Sequence, residues 1–223
     1  VRKTSSDVFN IIYFGGIFMK VMLINGSPHE NGCTHAALCE VEKALNECGV
    51  ETEMFWIGRG PIPGCIGCNG CAKSGRCTVS DDVVNRAMDI AEHCDGYVIG
   101  SPVHYAGMAG NLKCFLDRFF WLGGHDYKPG AAVVSARRSG TTAAFDEINK
   151  YFTISQMPIV SSRYWNNVHG RKAADVEEDA EGLMVLRTLG RNMAWMLKSI
   201  EAGRKAGVEL PEPEERAVTD FIR

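Results

Sequence analysis

The sequence has no surplus of basic charge: 24 Lys and Arg stand against 27 Asp and Glu, a formal net charge of −3 with a pI near 6.1. Such a chain has no field that gathers nucleic acid or an anionic bilayer, so neither is expected as a partner. Nor does any apolar run reach the roughly 20 residues that span a membrane. VFNIIYFGGIFM, residues 8–19, extends over 12. No small-residue processing site follows it, and MKVMLINGSP begins at once. Met19 is therefore read as the functional start and residues 1–18 as a poorly ordered extension, with an interfacial anchor as the alternative. Internal repeats, low-complexity tracts and a second core are also absent. Residues 19–223 are expected to form one domain with a cysteine-rich loop at 61–80 and a C-terminal helix and tail. A disulfide framework is not expected either: the nine cysteines are odd in number, several fall in helical patterns, and no secretory signal is recognisable. A reducing, cytoplasmic setting follows.

What is present alternates between strand and helix. KVMLING (20–26), VETEMFWI (50–57), GYVIGSP (96–102), AAVVSAR (131–137) and MPIVSSRYW (157–165) read as short strands, most of them continuously apolar as in a sheet buried on both faces. Between them, Ala37, Leu38, Val41, Ala44, Leu45 and Cys48 recur at helical spacing, as do Leu112, Phe115, Leu116 and Phe119. A helix after Ser80 as N-cap, another over TTAAFDEINKYFTIS and a long one from about Asp175 to Ala206 complete the pattern. Five strands with intervening helices predict a doubly wound parallel sheet, whose ligands sit at the carboxyl ends of the strands.

Three loops at that edge carry chemistry. Asn25–Thr34, NGSPHENGCT, offers the hydroxyls of Ser27 and Thr34 and the amides of 31–34 where a helix begins, a cradle for an anion. It has neither Gly-Lys-Ser/Thr nor Gly-x-Gly-x-x-Gly, so a nucleoside triphosphate and the usual dinucleotide mode are disfavoured. A single phosphate monoester, as on FMN, remains, against the plainer reading of a polar turn. After the third strand, Pro102 is expected to stop the strand, and Val103, His104 and Tyr105 present an edge for a planar ring. His104 is either a proton donor or a packing residue. Arg137 and Arg138 follow the fourth strand, where a guanidinium would stabilise negative charge on a reduced ring or receive a nicotinamide phosphate, or where both are simply solvated.

INGSPHENGCT, DGYVIGSPVHYAGMAGNLKCFLDR and VVSARRSGTTAAFDEINKYF, taken in order, resemble the NADPH-dependent FMN reductase family of the flavodoxin-like superfamily, close to its iron–sulfur flavoprotein branch. The resemblance spans about residues 20–206. It implies an α/β flavodoxin-like fold with strand order 2-1-3-4-5. It assigns the FMN phosphate to Ser27, His29, Asn31, Gly32, Cys33 and Thr34, and the ring and ribityl chain to Pro102, Val103, His104 and Tyr105, with Ala136, Arg137 and Gly140 on the far side. Relatives often carry Asn at Cys33 and an aromatic residue at His104. The Cys33 amide still serves a phosphate; the stacking partner of the ring is less defined.

Cys65, Cys68, Cys71 and Cys77 are spaced C-x2-C-x2-C-x5-C, and the first three repeat the ligand run of bacterial ferredoxin sites. The same spacing resembles the compact motif that holds [4Fe–4S] near FMN in iron–sulfur flavoproteins. Metal-free thiols beside the flavin, zinc and a disulfide are the other readings. Cys39, Cys48, Cys94 and Cys114 fall at helical positions and read as small buried hydrophobes. Tyr164, Trp165 and His169 belong either to an interface or pocket rim or to the core.

Two functions follow from the resemblance. One is an FMN-dependent NAD(P)H oxidoreductase reducing a small electron acceptor such as a quinone or flavin, with His104 and Arg137 as catalytic candidates. The other is an electron carrier fed by a ferredoxin-like partner. A thiol sensor or binding module without flavin is a third class. A homodimer or homotetramer is implied.

Overall fold

A computed structural model describes residues 19–79, 83–215, 217 and 219. The expected extension at 1–18 and the expected Ser80 cap lie outside the described residues. Strand β1, Lys20–Asn25, is followed by α1, Cys33–Glu47, and β2, Glu51–Trp56. The one-turn α2, Cys71–Ser74, interrupts the cysteine-rich segment, and α3, Val83–Ala91, leads to β3, Gly96–His104. Then come the two-residue β4, Gly107–Met108, α4, Gly110–Trp121, β5, Gly130–Ala136, and α5, Thr141–Ile154. The chain ends with β6, Asn167–His169, the one-turn α6, Ala173–Val176, and α7, Ala180–Lys205.

Five strands pair in parallel in the order β2-β1-β3-β5-β6. Counted as parallel strands alone, this is the expected 2-1-3-4-5. Alternation along each strand splits the core. Met22, Ile24, Tyr97, Ile99, Ala132 and Val134 pack with α3, α4 and α5 on one face. Val21, Leu23, Val98, Ala131 and Val133 pack with α1 and α7 on the other. Burial on both faces is why these strands read as unbroken apolar runs. Among the described residues no helix is long and apolar enough to cross a membrane.

The structure corrects four expectations. The fifth parallel strand is Asn167–His169, not 157–165, where only a single bridge from Ile159 to Gly130 forms. The ladder resumes late because buried Asn166 takes it over: its carbonyl accepts the Val134 amide at 2.9 Å and its Nδ2 donates to Ala132 O at 3.0 Å. Pro102 does not stop β3. Beyond Gly100 the strand has no β1 partner, an edge where a residue without N–H is tolerated, and it runs on to pair with β4. The long C-terminal helix begins at Ala180, not Asp175. Asp179 caps it through Oδ1, which accepts the Gly182 amide at 2.9 Å, while Asp175 accepts the Arg171 and Lys172 amides around α6. Of the four cysteines expected at buried helical positions only Cys94 is buried, and it follows α3, while Cys48 caps α1; Cys39, Cys48 and Cys114 are half-buried.

Candidate functional site

Asn25, the last residue of β1, is in register with Trp56 of β2 and Gly100 of β3. From β1 the chain crosses to β2 and from β3 to β5, so a crevice opens between β1 and β3 at their carboxyl ends. The turn leaving β1 is locked by its own polar groups. Asn25 Nδ2 donates to Glu30 O at 2.9 Å, the Ser27 amide to Asn25 Oδ1 at 3.0 Å, and the His29 amide to Ser27 Oγ at 3.1 Å. From β2, the Trp56 indole N–H donates to Ser27 O at 2.8 Å.

This turn delivers the chain to α1, whose N-cap, Gly32, makes no side-chain hydrogen bond. The amides of Cys33, Thr34 and His35 therefore open into the crevice with the positive end of the helix dipole behind them. Helix α1 lies against the sheet here because Gly100 has no side chain: a Cβ would stand 2.8 Å from both Thr34 Cγ2 and Leu38 Cδ1. His29 and Asn31 are exposed on the turn, and Ser27 is buried beneath it. Two donors expected to face outward do not. The Gly32 amide closes the turn onto His29 O at 3.2 Å. The Thr34 hydroxyl points inward to Ser135 Oγ at 2.8 Å, which leaves Thr34 its amide alone for a ligand. Burial, then the charge of Asp175, pushes the Cys33 thiol up, so Cys33 enters the site as a neutral group.

The second wall is the β3–β4 hairpin. Val103 pairs with Met108 and His104 with Gly107, which puts Tyr105 at the tip, fully exposed and at φ 58°. Glu147 of α5 accepts the Met108 amide at 2.8 Å and Ser101 Oγ accepts the Ala109 amide at 3.0 Å, so the hairpin is held at its base. Gly140, at φ 93°, begins α5 against this wall; a Cβ there would stand 2.9 Å from Val103 Cγ1. The structure thus brings Pro102, Val103, His104, Tyr105 and Gly140 around one edge. Ala136 is buried at the end of β5, and Arg137 and Arg138 project beyond it with no hydrogen-bond or ion-pair partner among the described residues.

The four loop cysteines share one hollow: Cys65, Cys68, Cys71 and Cys77 line it, with Ile66, Trp121 and Leu122 as apolar walls. Buried Asn85 of α3 fixes the far end of the loop. Its Oδ1 accepts the Cys77 amide at 3.0 Å, and its Nδ2 donates to Cys77 O at 3.0 Å and Val79 O at 3.2 Å. Arg118 of α4 is 2% exposed and donates from Nε to Cys77 Sγ at 3.2 Å and from Nη1 to Pro63 O at 3.3 Å, joining both ends of the segment. Thr78 Oγ1 lies 3.3 Å from Cys68 Sγ; that hydrogen bond, then the Gly70 amide, holds the Cys68 thiol below its usual range. Among the described residues no three Cys, His, Asp or Glu side chains converge tightly enough for a single metal ion. The hollow flanks α4 at Arg118, about 12 Å along the helix from Gly110 beside the hairpin, at 1.5 Å per residue.

Tyr164 and Trp165 meet edge to face with ring centroids 5.0 Å apart and are 61% and 52% exposed, so they belong to the surface and not to the core. His169 is exposed too, its Nδ1 3.6 Å from Asp179 Oδ2. Trp56, Thr78, Asn85, Arg118, Ser135 and Glu147 were not anticipated. Arg118 had one available signal, a cation set between Leu116 and Phe119 in an apolar helical stripe.

The model of the NADPH-dependent FMN reductase family matches residues 19–172. Two iron-sulfur flavoproteins of Methanocaldococcus jannaschii are each 32% identical; the alignments cover 82% and 78% of this chain and 100% and 94% of those proteins. Among solved structures, a flavone reductase superposes with a TM-score of 0.63 at 18% identity, over 82% of this chain and 64% of the other. A flavodoxin from the domain Archaea gives 0.53 at 17% identity, over 81% and 99%. These structural likenesses establish the fold as flavodoxin-like.

Proposed function

Because the chain belongs to the NADPH-dependent FMN reductase family, we propose that this flavoprotein oxidoreductase holds FMN in the β1–β3 crevice and a [4Fe–4S] cluster in the cysteine hollow, and serves electron transfer to a small acceptor. The observation that carries the flavin assignment is the uncapped start of α1 beside a preformed turn. The amides of Cys33, Thr34 and His35 hold the phosphate dianion, with Ser27 Oγ, His29 and Asn31 around it. Pro102, Val103, His104 and Tyr105 support the ring from the hairpin, and Gly140 lets the β5–α5 loop close on Val103. In this reading His104 holds or gives a proton at the exposed ring edge and Arg137 faces the negative charge of the reduced ring.

Bound FMN supplies exchange between electron pairs and single electrons, and a cluster supplies one-electron storage. Cys65, Cys68, Cys71 and Cys77 give one hollow four thiol donors, the donor set of a [4Fe–4S] cluster. Cys65, Cys68, Cys71 and Cys77 are its ligands. The names of the M. jannaschii relatives support the same reading. The unpartnered Arg137 and Arg138 support a second one, in which NAD(P)H reduces the flavin directly and a guanidinium receives its phosphate.

Anaerobic isolation followed by flavin, iron and sulfide quantification tests the cofactors, and reduction by NADPH against reduced ferredoxin separates the donors. Stoichiometric FMN and iron with fast reduction by ferredoxin is expected. Rapid NADPH turnover by iron-free protein would leave the second reading standing, and failure to take up FMN would end both. The working unit is a homodimer or homotetramer, which sedimentation would check.

A further inference from the structure

Cys77 differs from the other three loop cysteines in how it is held. Cys65 and Cys68 are exposed on the loop. Cys77 is gripped by two buried side chains from two helices, Asn85 on its backbone and Arg118 on its sulfur. The Arg118 contact is a directed N–H···S hydrogen bond of 3.2 Å from a side chain 2% exposed, so water does not compete for the donor. Pro63 O, accepting from Nη1 at 3.3 Å, orients the guanidinium so that Nε faces the sulfur.

We propose that Arg118 is a positioning residue that sets the reduction potential at the cysteine hollow through its hydrogen bond to Cys77 Sγ. This rests on the reading that the four thiols carry a [4Fe–4S] cluster. A metal-bound thiolate carries negative charge, and one-electron reduction adds to it without forming or breaking a bond at the cysteine. A donor aimed at the sulfur therefore stabilises the reduced state more than the oxidised one and raises the potential. Neither the Thr78 hydroxyl on Cys68, at the exposed end of the loop, nor Asn85, which touches only backbone, is placed to do this as strongly.

Arg118→Met removes the donor but keeps much of the apolar stem, and Arg118→Lys keeps a cation without the planar fork. Both, with wild type, are reconstituted anaerobically with iron and sulfide, their iron content is measured, and the hollow and the flavin are titrated with dithionite under paramagnetic-resonance and absorption detection. At the potential where wild type is half reduced, Arg118→Met is expected to show a reduced-to-oxidised ratio about tenfold lower, a one-electron shift of about 59 mV downward. Arg118→Lys should fall between, and the flavin titration should not move. If Arg118→Met fails to retain iron, Arg118→Lys supplies the reading, because it too lacks the Nε–H directed at Cys77.

Iron-replete variants that titrate with wild type would overturn the inference and leave Arg118 a packing residue. Wild-type protein that takes up no iron overturns the cluster reading and this inference with it. That failure is seen in the iron content before any potential is measured.

Discussion

Thr34 and Ser135, 101 residues apart, share a buried hydrogen bond of 2.8 Å between their hydroxyls, directly beneath the amides that open the crevice. Thr34→Val keeps the shape and leaves Ser135 Oγ without that partner. A loss of about 1–3 kcal/mol in unfolding free energy is expected. FMN affinity should stay within about threefold of wild type, since the amide remains. Urea denaturation and flavin fluorescence titration check the two halves; a large loss of FMN affinity in a stably folded variant would return the hydroxyl to the phosphate.

Glu147 tests the second wall. Its carboxylate accepts the Met108 amide at 2.8 Å, and among the described residues no other side chain holds that amide. Glu147→Ala is expected to loosen the hairpin and weaken FMN binding about tenfold, about 1.4 kcal/mol. Glu147→Gln, which keeps an oxygen acceptor, should recover most of it. Equal affinity in all three proteins would mean that the hairpin does not support the ring.

Asn85 makes three hydrogen bonds to the backbone of Cys77 and Val79. Asn85→Ala should destabilise the fold by about 2 kcal/mol and open the loop to proteolysis near Cys77. Asn85→Asp retains the acceptor for the Cys77 amide but loses both donors, so it should not restore stability. Chemical denaturation with limited proteolysis reads both.

A pH dependence comes from the other end of the sheet. His125 is 1% exposed, with Phe119 O 3.1 Å from Nε2 and Tyr97 Oη 3.2 Å from Nδ1. The Phe119 carbonyl can only accept, so Nε2 carries the proton, and Nδ1 lies beside a tyrosine hydroxyl that donates to Ala91 O and accepts from Lys128 Nζ. Burial is the main cause that lowers its pKa from 6.5 to about 4. The unfolded chain therefore binds the proton more readily than the folded one. Stability is full above pH 6.5 and falls as pH drops toward 4, by about 3 kcal/mol for this group. His125→Phe should flatten that part of the profile, measured as unfolding free energy between pH 7 and pH 4. An unchanged acid slope would mean that His125 is not the group titrating there.

Much of the fold is legible in local pattern. β1, β3 and β5 are buried on both faces, so each appears as a run of apolar residues, and their alternation with helices marks a parallel sheet, while the strand order is legible only through the family resemblance. β4 was not legible, being two residues whose only partner is the strand just before it. The sequence pattern points to a strand ahead of β6, because 157–165 is apolar and aromatic enough to form one. Whether it is one depends on which groups reach the β5 ladder: 158–160 touch it only at Gly130, and Asn166 is where the pairing resumes.

The same division runs through the site. The spacing of Cys65, Cys68, Cys71 and Cys77 and the polar turn from Asn25 to Thr34 are contiguous in the chain, so their chemistry can be read before anything is folded. Glu147 under Met108, Ser135 under Thr34 and Arg118 on Cys77 are separated by 39, 101 and 41 residues from the groups they serve. No local period encodes such partners. They are chosen when helices close on the sheet and each buried polar group must find the acceptor or donor that packing leaves within reach.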